Sequence, residues 1–379
     1  VLMVDMRDGE FRLVQAKTVL MATGGGPTMY RYHTPSGDKS MDGLAMALRL
    51  GLGLRDMEMV QFHPTGLLAG HDTRMTGTVL EEGLRGAGGY LLDGNGERFM
   101  PGYDDKGERA TRDIVSRAIY AEMRAGRTTP NGGVYIAMGH LGPEMVAQKF
   151  PGMVKRCADC GFDLAGGRVE VVPTAHYLMG GVVVSPDTRS AMPGLFVAGE
   201  DAGGAHGANR LGGNGVANST VFGGIAGDEM AAQAALQQRW ADPDTRVIDA
   251  AIEQTLAPFQ QAAGDVNSIR DRLLDLMWNG VGVLRDANGI RQAQSGLAAL
   301  KTELLATGLG DDNRVFNLSW HDWLNLQSLI EVSEVIAAAA LSRENSRGAH
   351  YREDYPEAGS LDDSYFTVAR VDREAVQVE

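Results

Sequence analysis

The chain has 379 residues, with 49 acidic against 35 basic side chains and a formal net charge of -14. This charge argues against nucleic acid and anionic membranes as main partners. A content of 44% hydrophobic and 22% charged residues is typical of an ordered globular protein. Glycine is unusually common: there are 50, and only nine of them follow Gly227. Such density without a Gly-X-Y period predicts tight turns and backbone that a ligand approaches closely.

The first 62 residues predict an α/β arrangement. Val1–Val4 and Phe11–Val14 flank the turn residues Asp8 and Gly9, which is typical of a hairpin. The predicted elements that follow are a strand at Thr18–Ala22, a helix at Met41–Leu50 and a strand at Met57–Phe62.

The middle of the chain changes character between Gly66 and Gly167, where turn signals alternate with short helices. The helices predicted here are Arg112–Arg124 and Gly142–Phe150. Strands at Val169–Val172, Gly180–Val184 and Gly194–Ala198 and a helix at Val216–Arg239 then restore the α/β pattern. The only two cysteines, Cys157 and Cys160, are expected to be reduced thiols on a helical stretch, because no second pair or nearby histidine completes a metal site.

The last third predicts a helical bundle. Ile269, Leu273 and Met277 fall on one helical face, Leu297, Leu300 and Leu304 fall on another, and a third helix is expected at Trp323–Ser342. The longest apolar run, Val335–Leu341, is too short to span a bilayer. The polar tail after Arg343 is expected to be loop.

Two strands end in glycine-rich backbone, which is the first chemical signal. Ala22, Thr23, Gly24 and Gly25 follow one strand, and the other ends at Ala198–Glu200 with a carboxylate. Bare backbone at the carboxyl end of a strand suits a flat or phosphorylated ligand, although a plain turn explains a single junction equally well. Glu200 could accept hydrogen bonds from sugar or ribityl hydroxyls.

A glycine-rich segment, HGANRLGGNG at 206–215, leads into a predicted helix and combines histidine with arginine. It predicts an anion site, with a capping loop that carries a surface Arg210 as the alternative. Together with Glu200 it resembles the signature of the succinate dehydrogenase and fumarate reductase flavoprotein subunits, a family that includes L-aspartate oxidase. Five further segments agree in order: FHPTG at 62–66, EGLRG at 82–86, TRDIVSR at 111–117, PTAHYLMGG at 173–181 and ENSRGAHY at 344–351.

The resemblance implies a FAD-dependent oxidoreductase that interconverts succinate and fumarate, or a related dicarboxylate, by hydride transfer at flavin N5. It implies that His63 holds one substrate carboxylate and that His176 and Arg210 hold the other. Charge-assisted hydrogen bonds from such side chains suit a dicarboxylate. It further implies that Arg112 transfers a proton to or from the other substrate carbon. By the same resemblance, Glu82 and Arg85 form the relay that reprotonates Arg112.

For the cofactor, the resemblance implies FAD contacts through the first strand junction, Asp42, Glu200, Gly215 and Val216. Two departures from the family pattern stand out. Glu81 occupies the position before the relay glutamate where relatives place threonine, so Thr76 or Thr78 would have to substitute and the substrate stays open. No G-x-G-x-x-G motif is present, so we expect a chain truncated before Val1 that lacks the N-terminal βαβ unit.

The implied fold class is α/β: a partial FAD-binding Rossmann-like domain, an inserted α+β capping domain and a C-terminal helical-bundle domain. The expected boundaries are 1–62 and 173–239 for the FAD-binding domain, 63–172 for the capping domain, 240–345 for the helical domain and 346–379 for the tail.

The resemblance also implies an iron–sulfur subunit or another electron acceptor as partner, no metal in this chain, and a cytoplasmic location, with partner subunits as a route to the membrane face. Two alternatives stay open: L-aspartate oxidation, and a non-catalytic fragment that does not bind FAD.

Overall fold

The computed structural model describes residues 1–70, 73, 75–237, 239–240, 242–372 and 375–379. The chain forms two compact units. The first unit comprises Val1–Arg31, Ser36–Met59 and Leu178–Glu379, and the second unit comprises Tyr32–Pro35 and Val60–Tyr177.

The strands are short except for two in the second unit. They are β1 Leu2–Asp5, β2 Glu10–Leu13, β3 Val19–Met21, β4 Leu54–Arg55, β5 Val60–Leu67, β6 Tyr90–Leu92, β7 Val134–Ala137, β8 Arg168–Leu178, β9 Gly181–Val182, β10 Leu195–Val197, β11 Val368–Asp372 and β12 Ala375–Val378.

The helices are longest towards the end of the chain. They are α1 Asp42–Arg49, α2 Gly83–Gly86, α3 Arg112–Arg124, α4 Pro143–Lys149, α5 Pro151–Ala158, α6 Asn214–Leu236, α7 Thr245–Leu256, α8 Val266–Gly280, α9 Ala287–Leu305 and α10 Leu318–Ser342. The predicted bounds of α3 are confirmed.

The second unit is built on a four-stranded sheet in the order β5-β8-β7-β6. All eight residues of β5 are buried, because the strand lies inside the unit. Helix α3 is tied to β5 by a 3.1 Å hydrogen bond from the Ser116 hydroxyl to the Phe62 carbonyl. Val115 and Ile119 of α3 are fully buried in the same core. The sheet and α3 thus fix the strand that carries His63.

Residues 32–35 belong to the second unit through pairing with β8. The Thr34 N–H donates to the Ala175 carbonyl at 2.9 Å, and the Ala175 N–H donates to the Tyr32 carbonyl at 2.8 Å. The predicted division assigned His176 to the FAD-binding residues, whereas the compact units group it with His63. The division into a FAD-binding domain, a capping domain, a helical domain and a tail remains a prediction.

In the residues that the structure describes, the first unit contains three sheets and the helical region. β1 and β2 form the predicted hairpin, β3 pairs with β10 in parallel, and four further strands lie in the order β12-β11-β4-β9. The expectation of a loop-like tail is wrong, because β11 and β12 pair with each other and β11 pairs with β4. The error has a simple cause: these strands are short and mostly exposed, so no buried apolar run marks them.

The helical region has the predicted apolar faces. Ile269 and Leu273 of α8 are buried, as are Leu297 and Leu304 of α9. Side-chain oxygens of Asp265, Asp286 and Asn317 accept an N–H of the first turn of α8, α9 and α10 respectively, which fixes where these helices start.

Helix α10 is long and apolar enough to cross a membrane by length and composition, but 61% of the tested stretch is buried inside the structure. Trp320 and Trp323 are buried at its start, and their indole N–H groups donate to the carbonyls of Thr255 at 2.8 Å and Thr307 at 2.9 Å. These contacts are those of a core helix of the first unit.

A buried ionic cluster lies just before β5 along the chain. Glu58 accepts from Arg343 Nε at 2.5 Å and from the Thr367 hydroxyl at 2.8 Å. Glu58 is 0% and Arg343 1% exposed. Arg285 donates to the Glu58 carbonyl and contacts His350 Nδ1, both at 2.8 Å. This cluster joins the segment that leads into β5 to the end of α10 and to the C-terminal tail.

Candidate active site

Two predicted substrate histidines meet in the second unit. His63 lies on β5 and His176 on the neighbouring strand β8, with ring centroids 5.5 Å apart. His63 Nδ1 accepts the Thr65 N–H at 3.3 Å, and His176 Nδ1 lies 2.8 Å from the Thr34 hydroxyl. Because a backbone N–H can only donate, the proton of a neutral His63 sits on Nε2.

Arg112 is the first residue of α3, and its guanidinium is held by two side chains. Its Nε and Nη2 donate to Glu82 Oε2 at 3.1 and 2.8 Å, and its Nη1 donates to Gln61 Oε1 at 3.2 Å. The Arg112 side chain is 12% exposed and that of Glu82 is 46% exposed. An almost buried arginine thus contacts a carboxylate that is open to solvent.

Gln61 is a residue that sequence reasoning missed. It lies on β5 two positions before His63 and is buried. Residues two apart on a strand point to the same face. The sequence signal that could have found Gln61 is the two-residue alternation of side chains along a strand, which places Gln61 on the face that carries His63.

Arg85 extends the pair into the interior. Its Nη2 contacts Glu82 Oε1 at 3.4 Å, its Nη1 donates to the Glu108 carbonyl at 2.7 Å, and the side chain is 2% exposed. Its Nε has no hydrogen-bond partner among the described residues. Burial lowers the pKa of Arg85, against the opposing charge of Glu82. Burial acts to raise the pKa of Glu82, but Arg112 and then Arg85 outweigh it, so the pKa is lowered. Glu82 is therefore a carboxylate at neutral pH.

Arg210 lies in the first unit, in the glycine-rich segment before α6. Arg210 is 6% exposed, and its backbone N–H donates to Met179 Sδ at 3.2 Å. Burial, and then the charge of Arg210, lower the pKa of His206. Arg210 is thus a largely buried cation of this unit.

The two glycine junctions come together in the first unit as the parallel pairing of β3 with β10 predicts. Asp201, which is fully buried, accepts the N–H groups of Thr23 at 2.5 Å and Gly24 at 3.3 Å. Glu200 accepts the Leu178 N–H at 2.9 Å. Sequence reasoning missed Asp201, although it is the second carboxylate after the same strand.

Burial is the main cause of unusual pKa values at this junction. It raises the pKa of Glu200 to about 7, with the Leu178 N–H and the charge of Arg210 acting in the opposite direction. It raises the pKa of Asp201 to about 6 against the hydrogen bonds from Thr23. Asp42, at the start of α1, raises the pKa of Asp201 further through its charge.

The residues at this junction fit the FAD cofactor that the resemblance implies. A Cβ on Gly25 would fall 1.9 Å from Glu200 Cδ, so only glycine admits the carboxylate here, while the Cβ position of Gly24 faces open space. Ala22 is exposed beside them, and in the first turn of α6 Gly215 is partly exposed and Val216 is 76% exposed. Open backbone at the strand ends, with a carboxylate acceptor beside it, suits the hydroxyls and ring edges of a flavin nucleotide.

Two other predicted features have clear surroundings. Glu81 is exposed, and its side chain makes no hydrogen bond with any described residue, whereas the Thr76 hydroxyl donates to the Gly70 carbonyl at 2.7 Å. Cys157 is buried, and burial raises its pKa to about 12, so its thiol stays protonated. Within the described part of the chain, no group of three or more His, Cys, Asp or Glu residues could hold a metal ion.

Comparison with known proteins gives two family matches. A family described as FAD binding domain matches residues 1–216, and one described as fumarate reductase flavoprotein C-term matches residues 270–379.

Individual relatives agree with these matches. The chain is 38% identical to a fumarate reductase (CoM/CoB) subunit of Methanothermobacter marburgensis, over 93% of this chain and 64% of that protein. It is 36% identical to L-aspartate oxidase 1 of Ralstonia nicotianae, over 93% of this chain and 63% of that protein. The solved structure of a mutant FrdA from Escherichia coli quinol fumarate reductase matches with a TM-score of 0.91 and 33% identity, covering 100% of this chain and 67% of that chain. The chain therefore spans about two thirds of the length of the proteins it matches.

Proposed function

This chain belongs to the flavoprotein family of fumarate reductases and succinate dehydrogenases, whose cofactor is FAD, and we propose that it interconverts succinate and fumarate or a related dicarboxylate. The observation that carries the proposal is the contact of Arg112 with Glu82 in the unit that also joins His63 to His176. The chemistry needs donors for two carboxylates and one group that moves a proton. These side chains supply both.

The histidines supply hydrogen bonds to the substrate. His63 carries its proton on Nε2 and donates from that atom, because its Nδ1 accepts the Thr65 N–H. We assign the same task to His176 and to Arg210, a buried cation whose guanidinium suits a carboxylate. Bound FAD supplies the two-electron redox chemistry, accepting or giving hydride at N5. Ala22–Gly25, Asp42, Glu200, Gly215 and Val216 would hold it.

Arg112 is assigned the transfer of the proton to or from the other substrate carbon. A guanidinium has too high a pKa to act alone, so it must be reprotonated as it releases its proton. Glu82 contacts Arg112 through Oε2 and Arg85 through Oε1, and it is partly open to solvent. Because Glu82 is a carboxylate in contact with solvent, it can take up a proton from solvent and pass it to Arg112, with Arg85 balancing its charge.

L-Aspartate oxidation is the second candidate, because Glu81 stands where relatives have threonine. An exposed carboxylate that makes no hydrogen bond with the described residues could pair with the ammonium group of an amino dicarboxylate. The relative named L-aspartate oxidase supports keeping this candidate.

A partner subunit would carry the electrons away from the flavin. The chain has only two cysteines, too few for the usual cluster ligands, so an iron–sulfur cluster would sit in the partner. Such a partner would hold this chain at the cytoplasmic face of a membrane.

Flavin spectroscopy tests the proposal. The purified chain is loaded with FAD, reduced without oxygen and mixed with fumarate; in parallel, the oxidised form is mixed with succinate or with L-aspartate. We expect fumarate to restore the visible flavin band and succinate to bleach it. Bleaching by L-aspartate alone would favour the second candidate, and a protein that stays colourless with added FAD would support the non-catalytic fragment and contradict both.

A further inference from the structure

Thr34 lies outside every motif that the sequence analysis singled out, yet its side chain contacts a proposed substrate residue. Its hydroxyl is 2.8 Å from Nδ1 of His176, although the two residues are 142 positions apart. Both belong to the second unit.

The backbone of Thr34 is fixed on the strand that carries His176. The Thr34 N–H donates to the Ala175 carbonyl, and Ala175 donates back to Tyr32, so residues 32–34 run beside β8 in register with Ala175. Gly77 packs against the same segment: a Cβ there would fall 2.4 Å from the His33 carbonyl oxygen. These backbone contacts thus fix the main chain of Thr34 beside the strand that carries His176.

Among the described residues the Thr34 side chain has no other acceptor for its proton, which favours donation from its hydroxyl to His176 Nδ1. His63 already shows the same arrangement, with Nδ1 accepting the Thr65 N–H. In each ring the proton of the neutral imidazole then lies on Nε2.

We infer that Thr34 is a positioning residue that holds His176 in the Nε2–H tautomer, so that both histidines present an N–H donor to a substrate carboxylate. Without this hydroxyl, His176 can adopt the other tautomer, in which Nε2 is an acceptor and repels a carboxylate. The effect on substrate rests on the proposed function, whereas the tautomer does not.

Nitrogen NMR of the chain labelled with [15N]histidine tests the tautomer directly. The His176 signals are assigned by their loss in His176→Gln, and the long-range couplings show which ring nitrogen carries the proton. We expect Nε2–H in the wild-type protein and in Thr34→Ser, and a mixture of tautomers in Thr34→Val. An Nδ1–H form in the wild-type protein would overturn the inference even if the valine variant failed to fold.

Steady-state kinetics of the FAD-loaded chain give the second measurement. Thr34→Val should raise the KM for fumarate about tenfold with a smaller change in kcat, since one hydrogen bond to a charged substrate is lost. Thr34→Ser should restore the KM. Thr128→Val is the control, because the Thr128 side chain makes no hydrogen bond with the described residues of the same unit. An unchanged KM together with an unchanged tautomer in Thr34→Val would overturn the inference; a shifted tautomer without any fumarate turnover in the wild type would instead count against the proposed function.

Discussion

The buried pair of Glu58 and Arg343 allows a quantitative prediction about the segment that leads into β5. Both side chains are almost completely buried, and Glu58 accepts from Arg343 and from Thr367. Burial raises the pKa of Glu58 even though the charge of Arg343 opposes this. We expect Glu58→Gln to be strongly destabilising, because among the described residues it leaves buried Arg343 with Asp56, at 3.5 Å, as its one remaining counter-charge.

The magnitude follows from burial. Removing one partner of a buried ion pair costs about 3–5 kcal/mol, while an exposed pair contributes about 0–1 kcal/mol. Asp56 moderates the loss, so we expect a decrease of about 3 kcal/mol in the free energy of unfolding. The matched control is Glu331→Gln, which breaks the 2.9 Å ion pair between Glu331 and Arg49. The Arg49 side chain is 43% exposed.

Urea unfolding followed by far-ultraviolet circular dichroism measures both variants. The prediction is a large shift of the midpoint for Glu58→Gln at an unchanged slope, and a shift within about 1 kcal/mol for Glu331→Gln. Equal losses in the two variants would refute the argument, since the pair would then contribute no more than a surface contact.

Two further predictions concern carboxylates of the proposed site. Glu82→Gln should lower the rate of fumarate reduction by about 10²-fold or more, because Arg112 loses the group that returns its proton. The control is Glu97→Gln, which changes an exposed residue of the same unit and should leave this rate unchanged. Equal rates in both variants would contradict the relay. Burial raises the pKa of Glu200 from 4.5 to about 7, so its contribution to the stability of the FAD-free chain is present below about pH 4.5 and is lost as the pH rises through 7. The free energy of unfolding of Glu200→Gln should therefore fall by less than that of the wild type between pH 4.5 and 8, by up to about 3 kcal/mol, and parallel pH profiles would refute this.

The sequence predicted the family and its cofactor because the motifs that carry the resemblance are local. His63, Glu82, Arg112 and His176 each lie in a short segment that resembles the family, and the bounds of α3 follow from the apolar period around Arg112. The family assignment and FAD as cofactor are confirmed by the comparisons. The roles of the individual residues stay predictions.

The residues that sequence reasoning missed act through contacts between distant parts of the chain. Gln61 reaches Arg112 across 51 positions, Thr34 reaches His176 across 142, and Asp201 reaches Thr23 across 178. No periodicity within one segment encodes such a contact, because it depends on which strands become neighbours.

The compact units group the residues differently from the expected domains for a similar reason. β8 continues from Arg168 to Leu178, past the predicted end of the capping domain, and residues 32–35 pair with it from far upstream. The tail hairpin was missed because β11 and β12 are largely exposed, and its recognition needed the pairing of β11 with β4.

The turnover of an Arg112 variant tests the central claim most directly. Fumarate reduction by the FAD-loaded chain is measured with a reduced dye for the wild type, for Arg112→Ala and for Arg109→Ala, which removes an exposed arginine of the same unit. General acid catalysis contributes about 10²–10⁴-fold, so Arg112→Ala should lose at least about 10²-fold in kcat while Arg109→Ala keeps the wild-type rate. A kcat for Arg112→Ala within about twofold of the wild type would contradict the assignment of proton transfer to Arg112.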